Sequence, residues 1–102
     1  MTQKRSNPQR PHAWCVYIIR ASDDRLYTGI TTDLEKRWRA HDGGRGGAKF
    51  FRGRRPAHLC FVETGHDRSS ASRREATIKR MTRRQKLQLI AASATPVPLN
   101  GD

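Results

Sequence analysis

Two short apolar runs near the start of the chain set its frame. Residues 13–21, AWCVYIIRA, are rich in β-branched and aromatic side chains and stop at a polar cluster, SDDR; LYTGI follows at 26–30. Runs of this length, bounded by turn residues, read as strands, and so short a connection makes them an antiparallel hairpin. Its register decides what the hairpin displays. If paired residues have numbers summing to an even value, Tyr17 and Tyr27 share a face as near cross-strand neighbours, with Gly29 leaving room beside them; an odd register separates them. Taken alone, a tyrosine pair on a hairpin is a packing feature as readily as a chemical one.

The rest of the chain follows in alternating pieces. TTDLEKRWRAH predicts a helix: Thr32 and Glu35 fit a capping box, Leu34 and Trp38 give an apolar stripe, and Gly43 and Gly44 end it. Residues 42–56, DGGRGGAKFFRGRRP, hold five glycines, five basic residues and two adjacent phenylalanines, the composition of a mobile basic loop. HLCFVET is a third strand. DRSSASRREATIKRM is a second helix, capped by Asp67, with Ala71, Glu75 and Ile78 towards one side. A third helix starts at Thr82, where Thr82 and Gln85 repeat the capping box and Leu87 and Ile90 are expected to face inward. The order β-β-α-β-α-α is that of an α+β fold, a small three-stranded antiparallel sheet flanked by helices. The folded domain is expected over 13–92, between a flexible basic arm at 1–12 and a flexible tail at 93–102.

Composition narrows the function. With 34% hydrophobic residues in 102, the core must be small and its stability a few kcal/mol. No run of about 18 apolar residues is present to span a membrane, and MTQKRSNPQRPH lacks the apolar stretch of a secretory signal. Cys15 and Cys60 sit in apolar strand-like runs and read as small buried hydrophobes in a reducing cytoplasm, with a bridge as the alternative. No CxxC or His/Cys spacing points to zinc. Charge dominates: 21 Lys and Arg against 9 Asp and Glu give a net charge of +12. Sixteen of those cations are Arg, whose planar fork matches phosphate. A polyanionic partner follows, nucleic acid first.

Three further features sit beside the tyrosines. Arg37 and His41, at i and i+4, share a helix face at the border of the apolar stripe; a solvated helix edge would look the same. Glu75 is the sole acid between Asp67 and Asp102. It reads either as half of an intrahelical pair with Lys79 or as a lone carboxylate ligand for Mg²⁺, which fills its other positions with water and phosphate oxygens. In AKFFRGRRP, Lys49, Arg52, Arg54 and Arg55 are candidate phosphate ligands. Phe50 and Phe51 are candidate stacking platforms or core plugs.

Taken in order, these residues resemble the GIY-YIG nuclease superfamily, and most closely its small single-domain bacterial branch. Cys15-Val16-Tyr17 and Tyr27-Thr28-Gly29 stand at the two name-giving triplets. The LYTGIT, the helix carrying Arg37 and His41, the helix carrying Glu75 and the RQK…LI end follow at matching intervals, from about Trp14 to Ile90. The resemblance implies metal-dependent phosphodiester hydrolysis with one Mg²⁺ or Mn²⁺. It implies Tyr17 as general base, Tyr27 positioning water or substrate, Arg37 on the scissile phosphate and Glu75 on the metal, and Gly29 is read as touching the nucleic acid. His41 is implied as an alternative base or a phosphate donor, with Lys79 beside the nucleic acid. The chain departs from the pattern at Ile30, where excision-repair relatives carry lysine, and has no asparagine between Asn7 and Asn100.

The leading expectation is therefore a DNA endonuclease with little sequence specificity and a preference for single strands, flaps or branches, acting in repair or recombination as a monomer or weak dimer. A surface this small suits no long base-specific site. The alternatives are a non-catalytic DNA- or RNA-binding module on the same fold, and a subunit docking on an acidic protein.

Overall fold

The computed structural model describes residues 13–43 and 46–93, so the expected arm at 1–12 and all of the tail beyond Ser93 lie outside it. Its elements run β1 (Trp14–Ala21), β2 (Leu26–Thr31), α1 (Leu34–His41), a 3-10 turn (Lys49–Phe51), β3 (Pro56–His66), α2 (Arg68–Lys79) and α3 (Arg83–Ser93). This is the expected β-β-α-β-α-α order. The sheet is antiparallel, with strand order β2-β1-β3.

The most apolar strand takes the centre because it alone is covered on both faces. Val16, Tyr17, Ile18 and Ile19 are fully buried. Alternation divides them. Val16 and Ile18 join Phe61, Ala71 and Ile78 on one face, where Leu89 and Ile90 of α3 also pack. Tyr17, Ile19 and Ala21 join Phe51 on the other, beneath Leu34 and Trp38 of α1. The domain is thus three layers: α2 and α3, the sheet, then α1 with the 3-10 turn.

The hairpin register pairs Tyr17 with Gly29 and Ile19 with Tyr27, an even sum, so the tyrosines do share a face. Its four-residue loop places Asp24 at φ 74°, a left-handed position that Asp tolerates better than most residues. β3 is longer than the expected 58–64, and its register with β1 shifts in three places.

Three local expectations need correction. Thr32 and Glu35 do not cap α1. Thr31 Oγ1 instead accepts the Asp33 amide at 3.0 Å, and Asp33 in turn accepts the Lys36 amide at 3.1 Å as the N-cap. Leu87 does not face inward: it is 43% exposed, and Leu89 takes the core position beside Ile90. Cys15 is buried as expected but Cys60 only partly so; both are free thiols. The other two caps form as read. Asp67 and Ser70 make a reciprocal box on α2, and Thr82 and Gln85 exchange bonds of 2.9 and 3.1 Å on α3.

Candidate active site

On the α1 side of the sheet four sequence-predicted residues meet. The even register stands Tyr17 and Tyr27 side by side, ring centroids 6.2 Å apart. Gly29 makes the space: a Cβ there would lie 2.5 Å from Tyr17 Oη and 2.7 Å from its Cζ. From α1, His41 brings Nε2 to 2.9 Å from Tyr17 Oη and its ring to 5.2 Å from Tyr27. Arg37, one turn earlier, interacts with both tyrosine hydroxyls and donates from Nη1 to the Gly46 carbonyl at 2.8 Å.

The protonation of His41 follows from its two partners. The Ala48 amide donates to Nδ1 at 3.3 Å, so that nitrogen carries a lone pair. In the neutral ring the proton then sits on Nε2 and is donated to Tyr17 Oη. Burial, and secondarily the Arg37 charge, push the His41 pKa down to about 4, so the ring is neutral at physiological pH. With one nitrogen donating and the other accepting a backbone N–H, His41 has no lone pair free to act as a base in this arrangement. It holds the Tyr17 oxygen instead.

Tyr17 is wholly buried. Desolvation pushes its pKa up to about 12, against the opposing hydrogen bond and charge of Arg37. For Arg37 burial alone would lower the pKa; its interactions with Tyr17 and then Tyr27 outweigh that and raise it. The result is a dry tyrosine oxygen facing two donors, Nε2–H of His41 and the Arg37 guanidinium, each of which favours an oxyanion there.

Glu75 stands apart. It lies on α2, half-buried, with Lys79 at 3.4 Å, and no hydrogen bond or ion pair links it to the tyrosines, Arg37 or His41 among the described residues. Mg²⁺ and Mn²⁺ take a carboxylate oxygen of this kind as one ligand among waters and phosphates. No group of three or more His, Cys, Asp and Glu side chains gathers elsewhere among the described residues.

The basic loop is less free than its composition implied. Phe51 is 8% exposed and packs on His41 at 4.5 Å and Tyr27 at 5.2 Å, so it is core and not an open stacking platform. Phe50 remains half-buried, with Arg54 4.6 Å over its ring. Arg54 also holds Asp23 at 2.7 Å and the Phe50 carbonyl at 2.6 Å, while Arg55 pairs with Asp42 at 2.8 Å. Arg54, Arg55 and Lys79 are thus engaged within the chain; Lys49 and Arg52 are exposed, with no carboxylate partner among the described residues. Sequence reading missed what the backbone supplies, the Ala48 amide and the Gly46 carbonyl. One signal was available in Gly47, whose absent side chain lets the loop close on the Ala40 carbonyl.

Residues 13–88 match the GIY-YIG catalytic domain. The chain belongs to the GIY-YIG family. Among its relatives, UPF0213 protein YhbQ of Escherichia coli O139:H28 is 48% identical over 81 residues, covering 79% of this chain and 80% of that protein. UPF0213 protein DP2720 of Desulfotalea psychrophila is 44% identical over 90 residues, 88% and 81% of the two chains. Among solved structures, the UPF0213 protein BH0048 of Bacillus halodurans superposes with TM-score 0.53 at 37% identity, over 81% of this chain and 87% of that one. Protein EF2693 of E. faecalis does so with TM-score 0.58 at 27% identity, over 92% and 97%. The GIY-YIG domain gives this chain a nuclease-family fold, and no helix among the described residues is long and apolar enough to cross a membrane.

Proposed function

We propose that this GIY-YIG protein is a metal-dependent endonuclease that hydrolyses phosphodiester bonds in DNA, favouring single-stranded, flap or branched substrates of repair and recombination in a reducing cytoplasm. The observation that carries this reading is the approach of His41 Nε2 and the Arg37 guanidinium to one buried oxygen, the Oη of Tyr17, with the Tyr27 ring alongside. Packing needs neither a guanidinium nor an imidazole N–H aimed at a tyrosine.

In the proposed reaction Arg37 leaves the Gly46 carbonyl for the scissile phosphate, adding charge-assisted hydrogen bonds to the oxygens where charge grows. Tyr17 receives the proton of the attacking water. At a pKa of about 12 its ionised fraction at neutral pH is roughly one in 10⁵, so as the water's proton arrives its own passes to an oxygen of the bound phosphate, and from there to the leaving alkoxide as the P–O bond breaks. The Nε2–H of His41 holds the oxygen in place and stabilises the negative charge that grows on it during the transfer. Tyr27, half-buried beside it, positions water or substrate. Glu75 would hold one Mg²⁺ or Mn²⁺, which supplies charge neutralisation at the leaving oxygen.

The test is incubation of end-labelled single-stranded, duplex and flap DNA with Mg²⁺, Mn²⁺ or EDTA, beside Glu75→Ala and Tyr17→Phe variants. Metal-dependent cutting that both variants lose while still folding and binding is the expected result. One observation favours a second reading, a non-catalytic binding module. Tyr17 is wholly buried and Arg37 is already satisfied within the chain. DNA binding by all three proteins, with no cutting of any substrate, would establish it.

A further inference from the structure

The carboxylates of the described residues are all spoken for, and that accounting shows which cations remain. Asp23, Asp24, Glu35, Asp42, Glu63 and Glu75 each carry a basic partner, while Asp33 and Asp67 cap helices. Arg73 on α2, Arg80 at its C-cap and Arg84 on α3 are exposed and have no carboxylate partner among the described residues; Arg73 donates to Ser69 Oγ at 2.6 Å, which leaves its charge uncompensated. Ile78 fixes the inward side of α2. At about 100° per residue Arg73 and Arg80 lie roughly 140° and 200° round from it, facing solvent. They are about 10 Å apart along the axis, close to three phosphate steps of one DNA strand at about 3.4 Å each. On α3, Arg84 lies roughly 140° and 120° round from the inward-facing Leu89 and Ile90, so it too faces solvent.

This stripe is on the outer surface of the layer that covers the side of the sheet opposite Tyr17. The helix layer alone is about 10 Å thick, so a straight nucleic-acid arm seated at Tyr17 does not also lie along the stripe. We infer that Arg73, Arg80 and Arg84 form a second phosphate-binding surface, remote from the tyrosine site, which holds a separate arm of the same nucleic acid. The inference rests on nucleic acid being the substrate, and it gives the expected preference for flaps and branches a physical cause: two arms gripped on two layers.

The experiment is fluorescence anisotropy of labelled flap DNA and of linear duplex against salt, with EDTA present so that nothing is cut. Wild type is compared with the triple Arg73→Ala/Arg80→Ala/Arg84→Ala variant and with Arg37→Ala. Three lost duplex phosphate contacts make the slope of log affinity against log salt shallower by about 2 to 3. That change on the flap, together with loss of flap preference over linear duplex, supports the surface. An unchanged slope and preference in a triple variant with wild-type circular dichroism and melting overturns it, as does wild-type protein that binds no DNA. Loss of binding to phosphatidylserine vesicles with DNA binding intact also overturns it, assigning the stripe to a lipid surface. Because binding is read without turnover, a triple variant that behaves as expected in a protein that never cuts would refute the nuclease reading alone.

Discussion

At the scale of single residues, Gly29 and His41 determine what Tyr17 can be. A Gly29→Ala methyl would meet the far end of a side chain that is itself fully buried and has nowhere to swing. The substitution should cost about 1–3 kcal/mol and push the hydroxyl off His41. Adding Tyr17→Phe should restore stability only in part, because the ring carbon at 2.7 Å remains in the way; urea melts of the two single variants and the double decide it. His41 has a pH signature. Its folded pKa of about 4 lies below the ordinary value of 6.5, so between those pH values the unfolded chain binds more protons. Stability from its burial is complete above about pH 6.5 and is lost as pH falls towards 4, by a few kcal/mol at most. Urea midpoints at pH 7, 5.5 and 4.5 should fall steadily in wild type and far less in His41→Gln. Glu63 adds an acid-side loss of its own. Burial alone would raise its pKa, but hydrogen bonds from His66 and Arg74 hold it below the usual carboxylate range, so its stability is present above that range and lost below it. The sequence named all four residues of this cluster. It did not contain the tautomer, because that is fixed by the Ala48 main chain, which every residue type carries.

At the scale of elements, the short α1 carries both Arg37 and His41 and depends on its first turn. The Asp33 carboxylate, and not the Thr32 hydroxyl, holds that turn. Asp33→Ala should therefore cost about 1 kcal/mol, within a range of about 0.5–2, and lower any cleavage rate by loosening the site. Thr32→Ala should do neither; chemical denaturation of the pair separates them. Thr32 and Asp33 are both good capping residues, and the choice between them came from Thr31 folding back on the Asp33 amide, a turn preference weaker than the capping-box pattern that masked it. α3 shows the same limit. Leu87, Leu89 and Ile90 offer two possible apolar stripes, and the sheet beneath, not the periodicity, selects Leu89 with Ile90. The strands were plainer because burial on both faces of β1 left a nearly uninterrupted apolar run. The ion pairs of Arg54 and Arg55 join residues 31 and 13 positions apart, a separation at which composition says nothing about partners.

At the scale of the whole molecule, net charge and pairing oppose each other. The chain carries +12, and among the described residues each carboxylate already carries a basic partner or caps a helix, so the remaining exposed cations there, Lys49 and Arg52 on one outer layer and Arg73 and Arg84 on the other, have no carboxylate to offset them. Self-repulsion of this kind weakens the compact state and is relieved by salt. Exposed ion pairs work in the other direction, since salt weakens them, but each is worth only about 0–1 kcal/mol. Most pairs here have at least one partner well exposed, as in Arg39–Glu35 and Arg20–Asp24. Repulsion should therefore win. Between about 20 and 200 mM NaCl, where the screening length falls from roughly 20 Å to below 10 Å, the melting temperature of the free protein should rise. The same change should weaken its complex with DNA, because each neutralised phosphate releases a counterion. A melting temperature that fell with salt in the absence of DNA would mean that the surface pairs, Arg54–Asp23 and Arg74–Glu63 foremost as the least exposed of those made by Arg or Lys, contribute more than the repulsion they sit within.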